Sequence, residues 1–107
     1  MDINMNITSL QPTTVEFAKA LADETRQKIM AYICCRQVSV NDIAQAFEVS
    51  QPTVSHHLKI LKNAGLVSTE RRGKHVLYTL NQERLAQACC RVAENFAPEH
   101  PVEVVTS

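Results

Sequence analysis

Apolar positions recur at helical spacing along most of the chain and switch to every second residue in one short stretch. From Thr14, the positions Val15, Ala18, Leu21 and Ala22 fall three or four apart, which predicts a first helix. Asp23 is placed as an N-cap, and "DETRQKIMAYICC" puts Ile29, Met30, Ile33 and Cys34 on one stripe of a second helix. Ser39 followed by Asp42 matches a capping box and opens a third helix, "VNDIAQAF". Ser50 caps a fourth, from Gln51 to Asn63, with Pro52 in its first turn and Gly65 suited to the position just past its end. Only "EVS" separates the third and fourth helices, which is helix-turn-helix spacing.

After Gly65 the period drops to two. "LVSTER" and "HVLYTL" flank "RGK", which predicts a β-hairpin with Arg71, Arg72 and Lys74 at its tip. Asn81 caps a last helix whose stripe is Leu85, Ala88, Cys89, Val92, Ala93 and Phe96, and Pro98 and Pro101 end it. Residues 1–12 carry no sustained periodicity and are expected to form a flexible N-terminal arm, with 97–107 a flexible tail. Residues 13–96 then form one DNA-binding and dimerisation domain. The order α-α-α-α-β-β-α, mainly α with a β-hairpin wing, is that of a winged helix-turn-helix.

Composition narrows the partners. The chain has 107 residues, enough for one domain, and 45% of them are hydrophobic, which argues against disorder. With no Trp, two Tyr and three Phe the core must be aliphatic and modest, so a homodimer would help to complete it. The formal net charge is zero, but residues 51–80 hold Lys59, Lys62, Arg71, Arg72 and Lys74 against Glu70 alone. A neutral total thus hides a basic segment suited to a polyanion. No apolar run reaches the roughly 18 residues of a membrane span and no signal-peptide core is present, so a cytoplasmic protein is expected.

The fourth helix carries the sharpest functional signal. Val54, Leu58 and Leu61 fall at i, i+4 and i+7 and should bury against the preceding helix. Gln51, Thr53, Ser55, His56, Lys59 and Lys62 then project outward, and that face has no acid. The second helix of a helix-turn-helix enters the major groove, where its N-terminal residues meet base edges. Gln can pair with adenine, while Thr and His offer hydrogen bonds. Lys59 and Lys62 reach for phosphates, and Arg71, Arg72 and Lys74 add charge at the flanking backbone or minor groove. The bland alternative, a merely solvated face, leaves the coincidence of turn spacing, basic excess, acid-free face and basic hairpin tip unexplained. His57 lies nearer the buried edge, where packing or hydrogen bonding is as natural a role as a DNA contact.

Two enzyme signatures are missing. The chain has only Gly65 and Gly73, so it carries no Gly-rich phosphate loop, and no Ser-His-Asp or Cys-His order stands out. A protein-binding winged helix would have lost the outward basic set, which is retained here.

"ALADETRQKIM", "SVNDIAQAFEVSQPTVSHHLKILKNAGLV" and "RRGKHVLYTL" resemble the ArsR/SmtB family of bacterial metal- and stress-responsive repressors, over roughly residues 15–95. The resemblance implies a homodimer assembled through the first and last helices. It implies binding to a palindromic double-stranded operator without a required cofactor, and release when an inducer binds. Many arsenic sensors of the family carry Cys-Val-Cys where this chain reads Ser39-Val40-Asn41. Zinc sensors use Asp and His on the last helix, where this chain reads Gln82, Arg84, Asn95 and about Pro98, a set that cannot build a tetrahedral zinc site.

What remains is two cysteine doublets, Cys34-Cys35 on the second helix and Cys89-Cys90 on the last. Thiolates are soft ligands, so such a set suits As(III), Sb(III) or Cd(II) over hard cations. Adjacent helical residues point about 100° apart. By the stripes above, Cys34 and Cys89 should face inward, with Cys35 and Cys90 at the edges. Other members of the family sense persulfides or oxidants by bridging a thiol on the second helix to one on the last. Ala31 stands where those sensors have their second-helix cysteine. Simple packing of small apolar side chains is the third reading.

Overall fold

The computed structural model describes residues 13–100, so the expected arm 1–12 and the tail from 101 onward lie outside the described residues. Seven elements follow in the expected order: α1 (Thr14–Leu21), α2 (Glu24–Ile33), α3 (Val40–Phe47), α4 (Gln51–Asn63), β1 (Val67–Arg72), β2 (His75–Leu80) and α5 (Gln82–Phe96). Side-chain caps set most of these boundaries. Asp23 accepts from the Arg26 N–H at 3.0 Å, Ser50 from the Thr53 N–H at 3.3 Å and Asn81 from the Arg84 N–H at 3.1 Å. Ser39 and Asp42 form a complete capping box, each side chain accepting from the other's backbone N–H at 3.1 and 3.0 Å. Hydrogen bonds from both serine atoms, the backbone N–H first, hold the Asp42 carboxyl below its usual range.

The α3–α4 turn is the three residues Glu48, Val49 and Ser50, and Glu48 adopts a left-handed φ of 55° to make it. The core gathers around this pair. Ile43 of α3 and Val54, Leu58 and Leu61 of α4 are at most 1% exposed, and they join Ile29 and Ile33 of α2 and Leu66 ahead of the hairpin. The i, i+4, i+7 spacing on α4 therefore buries as expected.

The hairpin pairs Val67 with Leu80 and closes on Arg72 opposite His75. Its turn is thus Gly73-Lys74, one residue shorter than "RGK", with glycine supplying the positive φ of 62° at the first turn position. Val38 adds an isolated bridge to Tyr78, through bonds of 3.0 and 2.7 Å, and ties the α2–α3 connection to the wing.

At both ends of the domain burial departs from the simple apolar spacing. In α1 it is Phe17 and Ala20 that are buried, while Val15 is 60% exposed and Ala18 and Ala22 are exposed too. Six of the eight positions from Val15 to Ala22 are apolar, so periodicity does not choose a side and the largest apolar side chain, Phe17, takes the core. In α5 the stripe is only partly covered: Leu85, Ala88 and Val92 pack against the core, yet no residue of the helix is buried. Cys89 is exposed and Cys90 half-buried, the reverse of the expectation, and Phe96 is 77% exposed. Within one chain α5 has too little body beneath it to cover a full stripe.

Candidate nucleic-acid interface

The outward residues of α4 are where the pattern places them. Gln51, Thr53, Ser55, His56, Lys59 and Lys62 are all exposed, on a 13-residue helix held from behind by its buried aliphatic face. Two of them are tied down locally. Gln51 Nε2 donates to Asn41 Oδ1 of α3 at 3.0 Å, which leaves the Gln51 carbonyl oxygen and its second N–H for a ligand. Ser50 Oγ donates to Thr53 Oγ1 at 2.8 Å. Nothing in the sequence marked Asn41 as a partner of the recognition helix, because a contact spanning ten residues has no local signature.

The wing tip carries Arg71, Arg72 and Lys74, all exposed. Neighbouring strand residues point to opposite faces, so Arg71 and Arg72 cannot line one side of the hairpin. Arg72 Nε donates to Glu70 at 3.1 Å, and the other Glu70 oxygen accepts from Gln37 Nε2 at 2.8 Å. The Gln37 bond, then the Arg72 guanidinium, hold the Glu70 carboxyl below its usual range. The single acid of the basic segment is thereby engaged, which orients Arg72 while its side chain stays 63% exposed beside Arg71 and Lys74.

His57 is half-buried, and its Nδ1 lies 3.3 Å from Arg26 Nη1 of α2. Burial chiefly lowers its pKa, and the charges of Arg26 and His56 add to this against the pull of Asp23. This histidine serves the interior side of α4 rather than its outer face.

The thiols fall into two separate places. Cys34 and Cys35 sit at the end of α2 with their Sγ atoms 3.5 Å apart. The hydrogen bond to Cys35, then desolvation, raise the Cys34 pKa. The same end of α2 is pinned by side chains from later in the chain: Thr79 donates to the Ile33 carbonyl at 3.3 Å and Gln82 to the Cys34 carbonyl at 2.6 Å. Among the described residues no three Cys, His, Asp or Glu side chains are grouped to hold a metal ion, so the four cysteines are not gathered within one protomer. No helix among the described residues is long and apolar enough to cross a membrane.

Comparison with known proteins agrees with this architecture. The profile of the bacterial regulatory proteins of the arsR family matches residues 23–69, from the α2 cap into the first half of β1. The transcriptional repressor SdpR of Bacillus subtilis (strain 168) is 43% identical over 63 residues, covering 59% of this chain and 70% of that protein. The arsenical resistance operon repressor of the same organism is 41% identical over 78 residues, covering 67% of this chain and 74% of the other. An ArsR-like transcriptional regulator from Rhodococcus sp. RHA1 superposes with a TM-score of 0.72 at 27% identity, over 80% of each chain.

Proposed function

We propose, from the premise that the chain belongs to the arsR family of bacterial regulatory proteins, that it is a homodimeric repressor of a palindromic operator. In this reading α4 enters the major groove and the wing grips the flanking backbone. The observation that carries it is the exposed, acid-free outer face of α4, with Lys59 and Lys62 beyond its hydrogen-bonding N-terminal residues. Gln51, Thr53, Ser55 and His56 meet base edges. Lys59, Lys62, Arg71, Arg72 and Lys74 meet phosphates and set the salt dependence. The second copy covers the exposed apolar residues Val15 of α1 and Phe96 of α5, two helices that pack on each other. Two recognition helices then address half-sites about 34–36 Å apart.

The inducer in this reading is a thiophilic metal or metalloid, As(III), Sb(III) or Cd(II), taken up by cysteine thiolates. The arsenical resistance repressor is a relative, and Cys34 and Cys35 already place two soft donors 3.5 Å apart. With arsenous acid, two thiols replace two hydroxyls on arsenic and two waters leave. A ligand there acts directly beside the Cys34 carbonyl that Gln82 of α5 holds, so strain at the doublet reaches the helix that carries Cys89 and Cys90. Those two complete the donor set only if α5 or a second protomer brings them near.

The test is fluorescence anisotropy on DNA from upstream of the protein's own gene, anaerobic and with a thiol-free reductant. Arsenite should release the DNA near stoichiometry, and Cys34→Ser with Cys35→Ser should abolish that release while leaving DNA affinity intact. Release by a persulfide donor alone would instead make the doublets a thiol-redox sensor. Release by neither would return all four cysteines to packing.

A further inference from the structure

The Arg26 side chain reaches four polar groups, and neither the DNA-reading surface nor the thiols account for it. It stands at the third position of α2 with its side chain 12% exposed. Its Nε donates to the Ala20 carbonyl and its Nη2 to the Lys19 carbonyl, each at 2.8 Å. These are carbonyls of the last turn of α1, where regular helical bonding runs out, and the Lys19 oxygen also accepts from the Ala22 N–H at 3.2 Å. The remaining nitrogen, Nη1, lies 3.9 Å from Asp23 Oδ2 and 3.3 Å from His57 Nδ1 on α4. One planar guanidinium thus joins the end of α1, the start of α2 and the middle of α4.

The chemistry of the α4 contact is one-sided. Guanidinium only donates, so His57 Nδ1 must accept, and the ring must be neutral with its proton on Nε2. We propose that Arg26 is a positioning residue for DNA binding, a clamp that holds the recognition helix at a fixed angle to α1 through neutral His57. The inference rests on α4 being the DNA-reading helix. It assigns no DNA contact to Arg26 or His57. A displacement of α1 would reach the DNA-reading surface through this clamp, without passing through the buried aliphatic face of α4.

The clamp has a built-in sensitivity to acid. Protonation of His57 puts an N–H against Nη1 and a second cation beside the first, so the bond is lost. The groups that face the ring are Arg26 and Asp23 from α2 and His56 from its own helix. Asp23 favours the charged ring, while Arg26, His56 and burial oppose it, burial most of all. The folded-state pKa lies below the ordinary 6.5. The tie is therefore intact above that value and is lost as pH falls through the lower folded one.

The experiment follows operator affinity from pH 7.5 down to 4.5 in a His56→Gln background, which removes the other histidine on α4. Glutamine at position 57 can still accept from Arg26 through its carbonyl oxygen but does not titrate. Across that range the His56→Gln protein should lose affinity at least about fivefold more than His56→Gln/His57→Gln, and the two should bind equally at pH 7.5. Arg26→Lys, a point charge that cannot reach three acceptors in one plane, should weaken binding at pH 7.5 and remove the His57-dependent part of the profile. Coincident pH profiles for the two histidine backgrounds would overturn the clamp. So would Arg26→Lys that lowers only the melting temperature. Charge reversal at Lys59 and Lys62 separates the premise from the inference. If it leaves DNA affinity intact, α4 is not the reading helix and the clamp falls with it. If it abolishes affinity while the profiles coincide, only the clamp is wrong.

Discussion

The two halves of this protein are finished to different degrees. The helix-turn-helix half closes its own core: Ile43, Val54, Leu58 and Leu61 are at most 1% exposed, and α3 and α4 both start at well-formed caps. The α1–α5 half does not. No residue of the 15-residue α5 is buried, and Val15 and Phe96 are 60% and 77% exposed. One chain suffices to build the DNA-reading unit, whereas the helices at either end of the domain leave apolar surface that wants a partner. The proposed dimer would have a use for this division: each protomer completes its own reading unit, and the spacing between the two would be set by the α1–α5 half.

Leu58 tests the closed half most severely. It is 1% exposed and central to the closed half, so Leu58→Ala should cost about 2–5 kcal/mol of folding stability, read by denaturant unfolding. A loss below about 1 kcal/mol would mean that the α3–α4 core is looser than its burial implies.

The open half should respond differently. Phe96→Ser should leave the protomer's fold intact but raise the dimer dissociation constant at least about tenfold, since burying one Phe side chain is worth about 1.5–3 kcal/mol and the two-fold axis counts it twice. Sedimentation velocity across a concentration series reads this. An unchanged dimer would place Phe96 outside the interface and leave the apolar end of α5 without a purpose.

The same division separates what was legible in the sequence from what was not. Caps are local chemistry, so Asp23, Ser39 with Asp42, Ser50 and Asn81 announce their helices within four residues. The buried face of α4 was legible because its other face is strongly polar. The first helix was not, because apolar side chains surround it and only its docking decides that Phe17 goes in. Cys89 was misplaced for a related reason: a stripe predicts burial only where something stands opposite to cover it. The ties that cross the fold, Arg26 to His57, Asn41 to Gln51 and Gln82 to the Cys34 carbonyl, join residues 10 to 48 apart and leave no pattern at all.

The smallest effect probes the joint within the closed half. Glu48 holds a left-handed φ of 55°, and its N–H bonds back to the Ala44 and Gln45 carbonyls at the end of α3. A residue with a Cβ is disfavoured there by roughly 1–2 kcal/mol, a penalty that glycine avoids. Glycine in turn has more freedom to lose from the unfolded chain, which offsets roughly 0.5–1 kcal/mol of that gain. Glu48→Gly should therefore stabilise the protein by up to about 1 kcal/mol in thermal or denaturant unfolding. Operator affinity should not rise with it, because the substitution adds no contact and loosens the turn that aims α4 at the groove. A clear loss of stability would mean that the exposed Glu48 side chain contributes more than its backbone costs. The turn would then be held by a surface interaction and not by the hydrogen bonds of its own backbone.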